Sequence, residues 1–253
     1  MFNNWYFTEK MQRLPVLMYH DIHRGEPNGN FSIHWEALSL QLNYLCCHGY
    51  HTISVRQLLN YVQLGIALPE KPVLLTFDDG YKSVATCLYS LLQKYSMKAT
   101  VFIVPGFVEE REQPENRYLS RAEIKGMPAD LIEWGLHSYN HNNYKVLTPT
   151  ELAYDITMCT EWFLSHGIPF APALAFPYGA FPKHHRAKRK LFFGSIHAAG
   201  VKISFRIGNR MNYFPISNEM MLQRMDITGN ETLPAFGKLL KEGKKKKLIG
   251  AIL

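Results

Sequence analysis

Asp78 and Asp79 stand side by side in Thr76-Phe77-Asp78-Asp79-Gly80, directly after the apolar run Val73-Leu74-Leu75. Two adjacent carboxylates at the edge of a core repel each other and are costly to desolvate, so one of them needs a cation or a proton. A metal ion held by one, with the other left free as a base, meets both demands. Gly80 lets the chain turn sharply behind the pair. A surface turn capped by Asp would use the same residue types, so the pentapeptide needs support from the rest of the chain.

His137-Ser138-Tyr139-Asn140-His141 supplies it. Imidazoles at i and i+4 face one side of a helical turn and can grip one ion. One Asp with two His gives three ligands and leaves a fourth position for water, the pattern of a catalytic zinc site. Asp155, the alternative ligand, falls in the first half of a helix and is expected to face solvent. In Phe176-Pro177-Tyr178-Gly179, the proline and glycine fix a tight turn that can aim the Tyr178 N–H at a developing oxyanion. His20 ends the run Val16-Leu17-Met18-Tyr19, a position that suits a structural histidine and a catalytic one alike. No G-x-S-x-G elbow, Walker loop or G-x-G-x-x-G is present, which removes support for serine hydrolase, P-loop and dinucleotide chemistry.

Short apolar runs that read as strands must position these residues: Val16–Tyr19, Val73–Phe77, Thr100–Val104, Leu131-Ile132, Leu174–Phe176 and Val201–Phe205. Helical patterns alternate with them. Ser54 and Gln57 form a capping box, and Gly65 ends the helix that follows. Trp35 to His48 is amphipathic, and Ala85, Leu88, Leu91, Leu92 and Tyr95 share one helical face. Thr148-Pro149-Thr150-Glu151 starts a helix whose stripe is Leu152, Ile156, Cys159 and Phe163. Pro105 to Met127 reads as a polar loop with at most a short helix after Ser120. The β-α alternation predicts a parallel sheet or a (β/α) barrel, and in both the strand C-terminal ends carry the chemistry. No internal repeat or Gly/Ser linker divides residues 1–253, so one domain is the economical reading, with an arm at 1–13 and a Lys-rich tail at 242–253.

Hydrophobic residues make up 47% of the 253 and charged residues 19%, which excludes a disordered chain. The net charge of +7 concentrates in Lys183–Lys190 and Lys238–Lys247. Neither run is interleaved with aromatic residues as a base-stacking platform would be, so both read as solvated and no nucleic-acid partner is expected. The four cysteines contain no C-x-x-C pair and read as buried or half-buried thiols. Met1 to Arg13 lacks a continuous apolar stretch, and no 18-residue apolar run follows, which predicts a cytoplasmic chain without a transmembrane segment.

Taken in order, Thr76–Gly80, His137–His141 and Pro177–Gly179 resemble the three leading motifs of the polysaccharide deacetylase family, carbohydrate esterase family 4. Pro15-Val16-Leu17-Met18-Tyr19-His20 resembles its subgroup acting on poly-β-1,6-N-acetylglucosamine. The resemblance implies a distorted (β/α) barrel and one divalent ion, usually zinc, that removes N-acetyl groups from a GlcNAc-containing glycan. It implies Asp79, His137 and His141 as metal ligands and Asp78 as the base. Pro177 and Tyr178 would line the oxyanion and substrate site. Three features depart from the family pattern: Ala175 stands where an arginine normally orients the catalytic Asp, no tryptophan follows Trp162, and the C-terminus lacks the L-x-L-H-like strand. Val16–Asp21 resembles that last strand moved to the front, which implies a circular permutation and His20 as the general acid. A small amide or imide substrate on the same fold, or a non-catalytic glycan-binding relic, is the alternative.

Overall fold

In the computed structural model, which describes residues 12–27, 31–110 and 117–244, strands and helices alternate as the apolar runs require. In chain order they are β1 (Arg13–Leu14), β2 (Val16–Tyr19), β3 (Asp21–His23), β4 (Ser32–His34), α1 (Trp35–Cys47), β5 (His51–Thr52), α2 (Val55–Leu64) and β6 (Pro72–Phe77). Then follow α3 (Tyr89–Tyr95), β7 (Ala99–Ile103), α4 (Pro105–Glu109), α5 (Arg121–Gly126), β8 (Ile132–Leu136), α6 (Pro149–Ser165), β9 (Ala173–Ala175), α7 (Arg186–Ala198), β10 (Ile203–Ile207), β11 (Asn212–Tyr213), β12 (Leu222–Asp226) and α8 (Leu233–Glu242).

Strands β2, β12, β10, β9, β8, β7 and β6 are hydrogen-bonded in that order, and β2 returns to pair with β6, closing a barrel of seven parallel strands. The (β/α) barrel expectation is met. The first barrel strand of the chain lies between the last, β12, and the one that leads into Asp78, β6. That is the place a permuted terminal strand must take if barrel closure is to survive its move to the front.

Side chains alternate across each strand. One set, including Leu74, Phe102, Ala175, Phe205 and Leu222, packs inside the barrel. The other, including Leu17, Leu75, Phe77, Val101 and Ile103, packs outward with helix residues such as Leu38, Leu88, Ile156 and Phe163. Gly135 serves the interior directly: a Cβ there would lie 2.6 Å from the Phe102 ring. At the barrel's other end Glu133 turns inward, and its carboxylate accepts the Val55 and Arg56 N–H groups at 2.7 and 3.2 Å, supporting the first turn of α2. The capping boxes of Ser54–Gln57, Ser120–Glu123 and Thr148–Glu151 all form.

Four expectations need correction. Pro105–Glu109 is helical, because Pro105 at the first position starts a turn that the polar composition downstream concealed. The face shared by Ala85, Leu88 and Leu91 begins with a wider π turn at Val84–Leu88 before α3. Cys46 and Cys47 are exposed at the end of α1, whereas Cys87 and Cys159 are buried. Strand β12 was not foreseen at all. Residues 1–11 of the N-terminal arm and 245–253 of the Lys-rich tail lie outside the described residues. Among the described residues no helix is long and apolar enough to cross a membrane.

Candidate active site

Asp79, His137 and His141 converge at the C-terminal end of the barrel, each offering one ligand atom with all three atoms within 4.8 Å of one another. Asp79 Oδ1 lies 3.4 Å from His137 Nε2 and 3.4 Å from His141 Nε2. Ligands held at 2.0–2.1 Å around a tetrahedral ion are themselves about 3.4 Å apart. Asp79 Oδ1 is buried without a hydrogen-bond partner, a costly state for a carboxylate that a cation would relieve. The donor set therefore fits one divalent ion.

The electrostatics agree. Burial lowers the basicity of His137, but Asp78 and Asp79 outweigh it and pull that imidazole up, so the cluster attracts positive charge to its centre. His141 is pushed down to about 4 by burial and by the neighbouring His137, which leaves a neutral imidazole to coordinate. His137 Nδ1 lies 2.8 Å from the Ala175 carbonyl, a contact that fixes the ring and turns Nε2 toward Asp79.

The His137–His141 segment is not the helical turn that the spacing suggests. It is an irregular loop with Ser138 and His141 in left-handed conformations, at φ 66° and 55°. Asp79 (φ 70°) and Tyr178 (φ 58°) share that conformation, so four strained non-glycine residues cluster here, at roughly 1–3 kcal/mol each. Asp155 holds the loop in place. It is 5% exposed rather than solvent-facing, and it accepts hydrogen bonds from the Ser138 hydroxyl, the Tyr139 N–H, the Asn142 amide and the Tyr144 hydroxyl at 2.8–3.2 Å. An aspartate in an amphipathic helix reads as solvated. Nothing local reveals that a strained loop is anchored to it.

Asp78 is 2% exposed and paired to Arg224, whose Nη1 and Nη2 reach Asp78 Oδ1 and Oδ2 at 2.6 and 2.7 Å. Burial pushes the Asp78 carboxyl up, but Arg224 and His137 outweigh it and hold it well below the usual carboxylate range. The Arg224 guanidinium lies 5.5 Å from the centre of the Phe102 ring and also meets the Thr76 hydroxyl at 3.4 Å. His20 comes in by register: Met18 is opposite Thr76, so the residues two further on, His20 and Asp78, share the inner face one layer up. His20 Nε2 is 4.0 Å from Asp78 Oδ2, and its ring packs against the exposed Phe31 with centroids 5.2 Å apart. Pro177 is buried in the turn after β9, and the exposed Tyr178 ring meets His141 edge-on at 4.5 Å.

The family model described as polysaccharide deacetylase matches residues 65–192, half of the chain. The chain belongs to the polysaccharide deacetylase family. Among curated relatives, a Bacillus subtilis protein named as a polysaccharide deacetylase, YxkH, is 31% identical over 151 residues, covering 58% of this chain and 50% of the relative. A poly-β-1,6-N-acetyl-D-glucosamine N-deacetylase of Staphylococcus aureus is 24% identical over 221 residues, covering 84% of this chain and 72% of the relative. The chain thus spans half the length of the first relative. Among solved structures, the Streptococcus pyogenes deacetylase PplD aligns with a TM-score of 0.79 at 20% identity, over 93% of this chain and all of that one. IcaB from Ammonifex degensii aligns with a TM-score of 0.72 at 24% identity, over 91% and 96%. These likenesses establish the same fold.

In this member of the family, the arginine expected at position 175 is replaced in space by Arg224, which pairs with Asp78. Ala175 packs inside the barrel and meets the site through its carbonyl, at His137. Sequence reasoning missed Arg224 because Leu222-Gln223-Arg224-Met225-Asp226 has only two apolar residues, Leu222 and Met225, three positions apart, and so shows no period-two strand pattern. Trp162 does not stand in for the absent later tryptophan. It lies on α6 and donates its indole N–H to Glu109 at 2.8 Å.

Proposed function

We propose that this polysaccharide deacetylase is a metal-dependent amide hydrolase that removes N-acetyl groups from a GlcNAc-containing polymer or conjugate. The observation that carries the reading is the division of labour between neighbouring carboxylates. Asp79 Oδ1 lies 3.4 Å from both His137 and His141, while Asp78 is held by the bidentate Arg224 pair, with its Oδ2 between His137 at 3.7 Å and His20 at 4.0 Å. Zinc is the ion we propose for the three-ligand set, and when bound it would acidify a coordinated water and polarise the acetamide carbonyl.

The chain's own groups do the remaining work. Asp78 accepts the proton of the attacking water, and its bidentate pair with Arg224 fixes the direction in which the carboxylate presents itself. His20, whose Nε2 lies 4.0 Å from Asp78 Oδ2, delivers in its protonated form a proton to the leaving amine nitrogen. The Tyr178 turn offers its backbone N–H to the oxyanion. The S. aureus relative's named substrate makes acetylated β-1,6-glucosamine oligomers the first compounds to try. Loss of the third-motif arginine would favour a non-catalytic relic, and Arg224 removes that argument. A cytoplasmic location belongs to this proposal only with the alternative substrate, a small amide or imide.

The test is acetate release from acetylated β-1,6- and β-1,4-glucosamine oligomers by the zinc-loaded protein. Asp78→Asn and His20→Ala are each expected to lower kcat by about 10²–10⁴. Bound metal, measured in parallel, should stay near one ion per chain. Acetate release that survives Asp78→Asn overturns the assignment of the base.

A further inference from the structure

Lys183 to Lys190, Lys-His-His-Arg-Ala-Lys-Arg-Lys, are exposed without interruption and include no carboxylate. They lead into α7 and form its first turn. Among the described residues, Lys183, Arg186, Lys188, Arg189 and Lys190 enter none of the ion pairs. Arg186, Arg189 and Lys190 line an open groove of about 580 Å³ together with Phe193.

Apolar side chains adjoin this charge. Leu191 follows directly and is 57% exposed, and Val146 is 75% exposed. Both border a second, partly apolar cleft of about 270 Å³ between α6 and α7, flanked by Lys145 and Lys188. Helix α6 begins soon after His141 and α7 soon after Tyr178, so basic and apolar residues together rim the end of the barrel that carries the metal-ligand cluster. Leu191 and Val146 stand beside the lysines and arginines on one face, so this surface is basic and apolar at once. An anionic polymer in water would satisfy the charges alone. An anionic bilayer takes both, basic groups at the headgroups and apolar groups at the acyl boundary.

We propose that α7 and the adjoining Lys145–Val146 corner form a docking surface for an anionic lipid membrane. The basic run meets the headgroups, and Leu191 and Val146 enter the interface. The barrel end bearing Asp79, His137 and His141 is then held beside the membrane plane, within reach of a chain displayed there. This surface stands independently of the substrate assigned above.

The experiment is co-sedimentation of the full chain with vesicles of phosphatidylcholine alone and of phosphatidylcholine mixed with phosphatidylglycerol. Wild type should bind only the mixed vesicles, and more weakly as salt rises. The triple variant Arg186→Glu/Arg189→Glu/Lys190→Glu should lose that binding, at about fivefold per charge removed and more for reversal. Leu191→Ser should weaken it several-fold with charge unchanged. Neutralising Lys244 to Lys247 with glutamine controls for the tail and should leave binding in place. Arg186, Arg189, Lys190 and Leu191 are exposed, so thermal midpoints and metal content of their variants should match wild type and show that each is folded. No binding to the mixed vesicles overturns the proposal, as does binding that survives the triple variant or disappears only with the tail. Binding indifferent to Leu191→Ser overturns it too, because the surface would then be reading charge alone, as a nucleic acid or other polyanion would.

Discussion

Replacing Arg224 by methionine keeps much of the side-chain volume and removes the guanidinium. Arg224 is fully buried and Asp78 is 2% exposed, so the variant leaves a carboxylate desolvated without its two short charge-assisted hydrogen bonds. Breaking a buried pair in this way costs about 3–5 kcal/mol. For a chain of this size each kcal/mol lowers the melting temperature by about 2–4 °C, so a fall of roughly 6–20 °C at neutral pH is expected. The pH dependence has a definite sign. In wild type the folded Asp78 carboxyl lies below its ordinary value, so its stabilisation is present above the ordinary carboxylate range and is lost as pH falls through the folded value. In Arg224→Met the opposing influence, burial, gains the upper hand and moves the folded value upward. The variant should therefore be at its relative best in acid, and the gap from wild type should be widest near neutrality and close as pH falls. Acetate release should drop because the base is misdirected, while metal content stays unchanged because no ligand is touched. Thermal melts across pH 4–8, paired with acetate release and metal analysis, read all three. Adding Asp78→Asn to Arg224→Met should recover stability without recovering activity, since both partners of the pair are then gone. A gap that does not vary with pH, or a double variant less stable than the single, would refute the argument.

Asp155→Ala removes the acceptor for two fully buried hydroxyls, those of Ser138 and Tyr144, and for the Asn142 amide, at about 1–3 kcal/mol each before relaxation. A lower melting temperature and weaker zinc affinity by competition titration are expected. Asp155→Asn, which keeps Oδ1, should cost less in both, and equal losses would speak against a hydrogen-bonding role. Burial raises the Glu133 carboxyl despite the N–H groups of Val55 and Arg56, so its contribution is fully present below the ordinary glutamate value and is lost as pH rises through the folded one. Wild type should therefore gain on Glu133→Gln as the medium is acidified, and melts in which wild type instead gains on the variant as pH rises would contradict this placement.

Much of the site was legible in the sequence because its elements are local. A barrel strand announces itself by an apolar run, and the residue after its last apolar position must emerge at the catalytic end; that places His20, Asp78 and Asp79, and His137 at the end of β8. Capping boxes at Ser54, Ser120 and Thr148 fix helix starts within four residues, so they too could be read directly. The loop from His137 to His141 was misjudged in conformation, since i and i+4 spacing suits a helix and a strained loop alike, and only the distant Asp155 decides between them.

What the sequence by itself determined was the order of the chemistry: a carboxylate pair, two histidines and a tyrosine turn, each behind its own strand. Tertiary structure alone decided what completes that chemistry. Arg224 is 146 residues from Asp78 along the chain, on a strand whose polar inner face hides it from any apolar pattern. Barrel closure brings it there, because β12 neighbours β2 and β2 neighbours β6. The same closure sets His20 opposite Asp78. A contact made by strand order has no local signature, since the residues on either side of it are selected to fit strands and not each other.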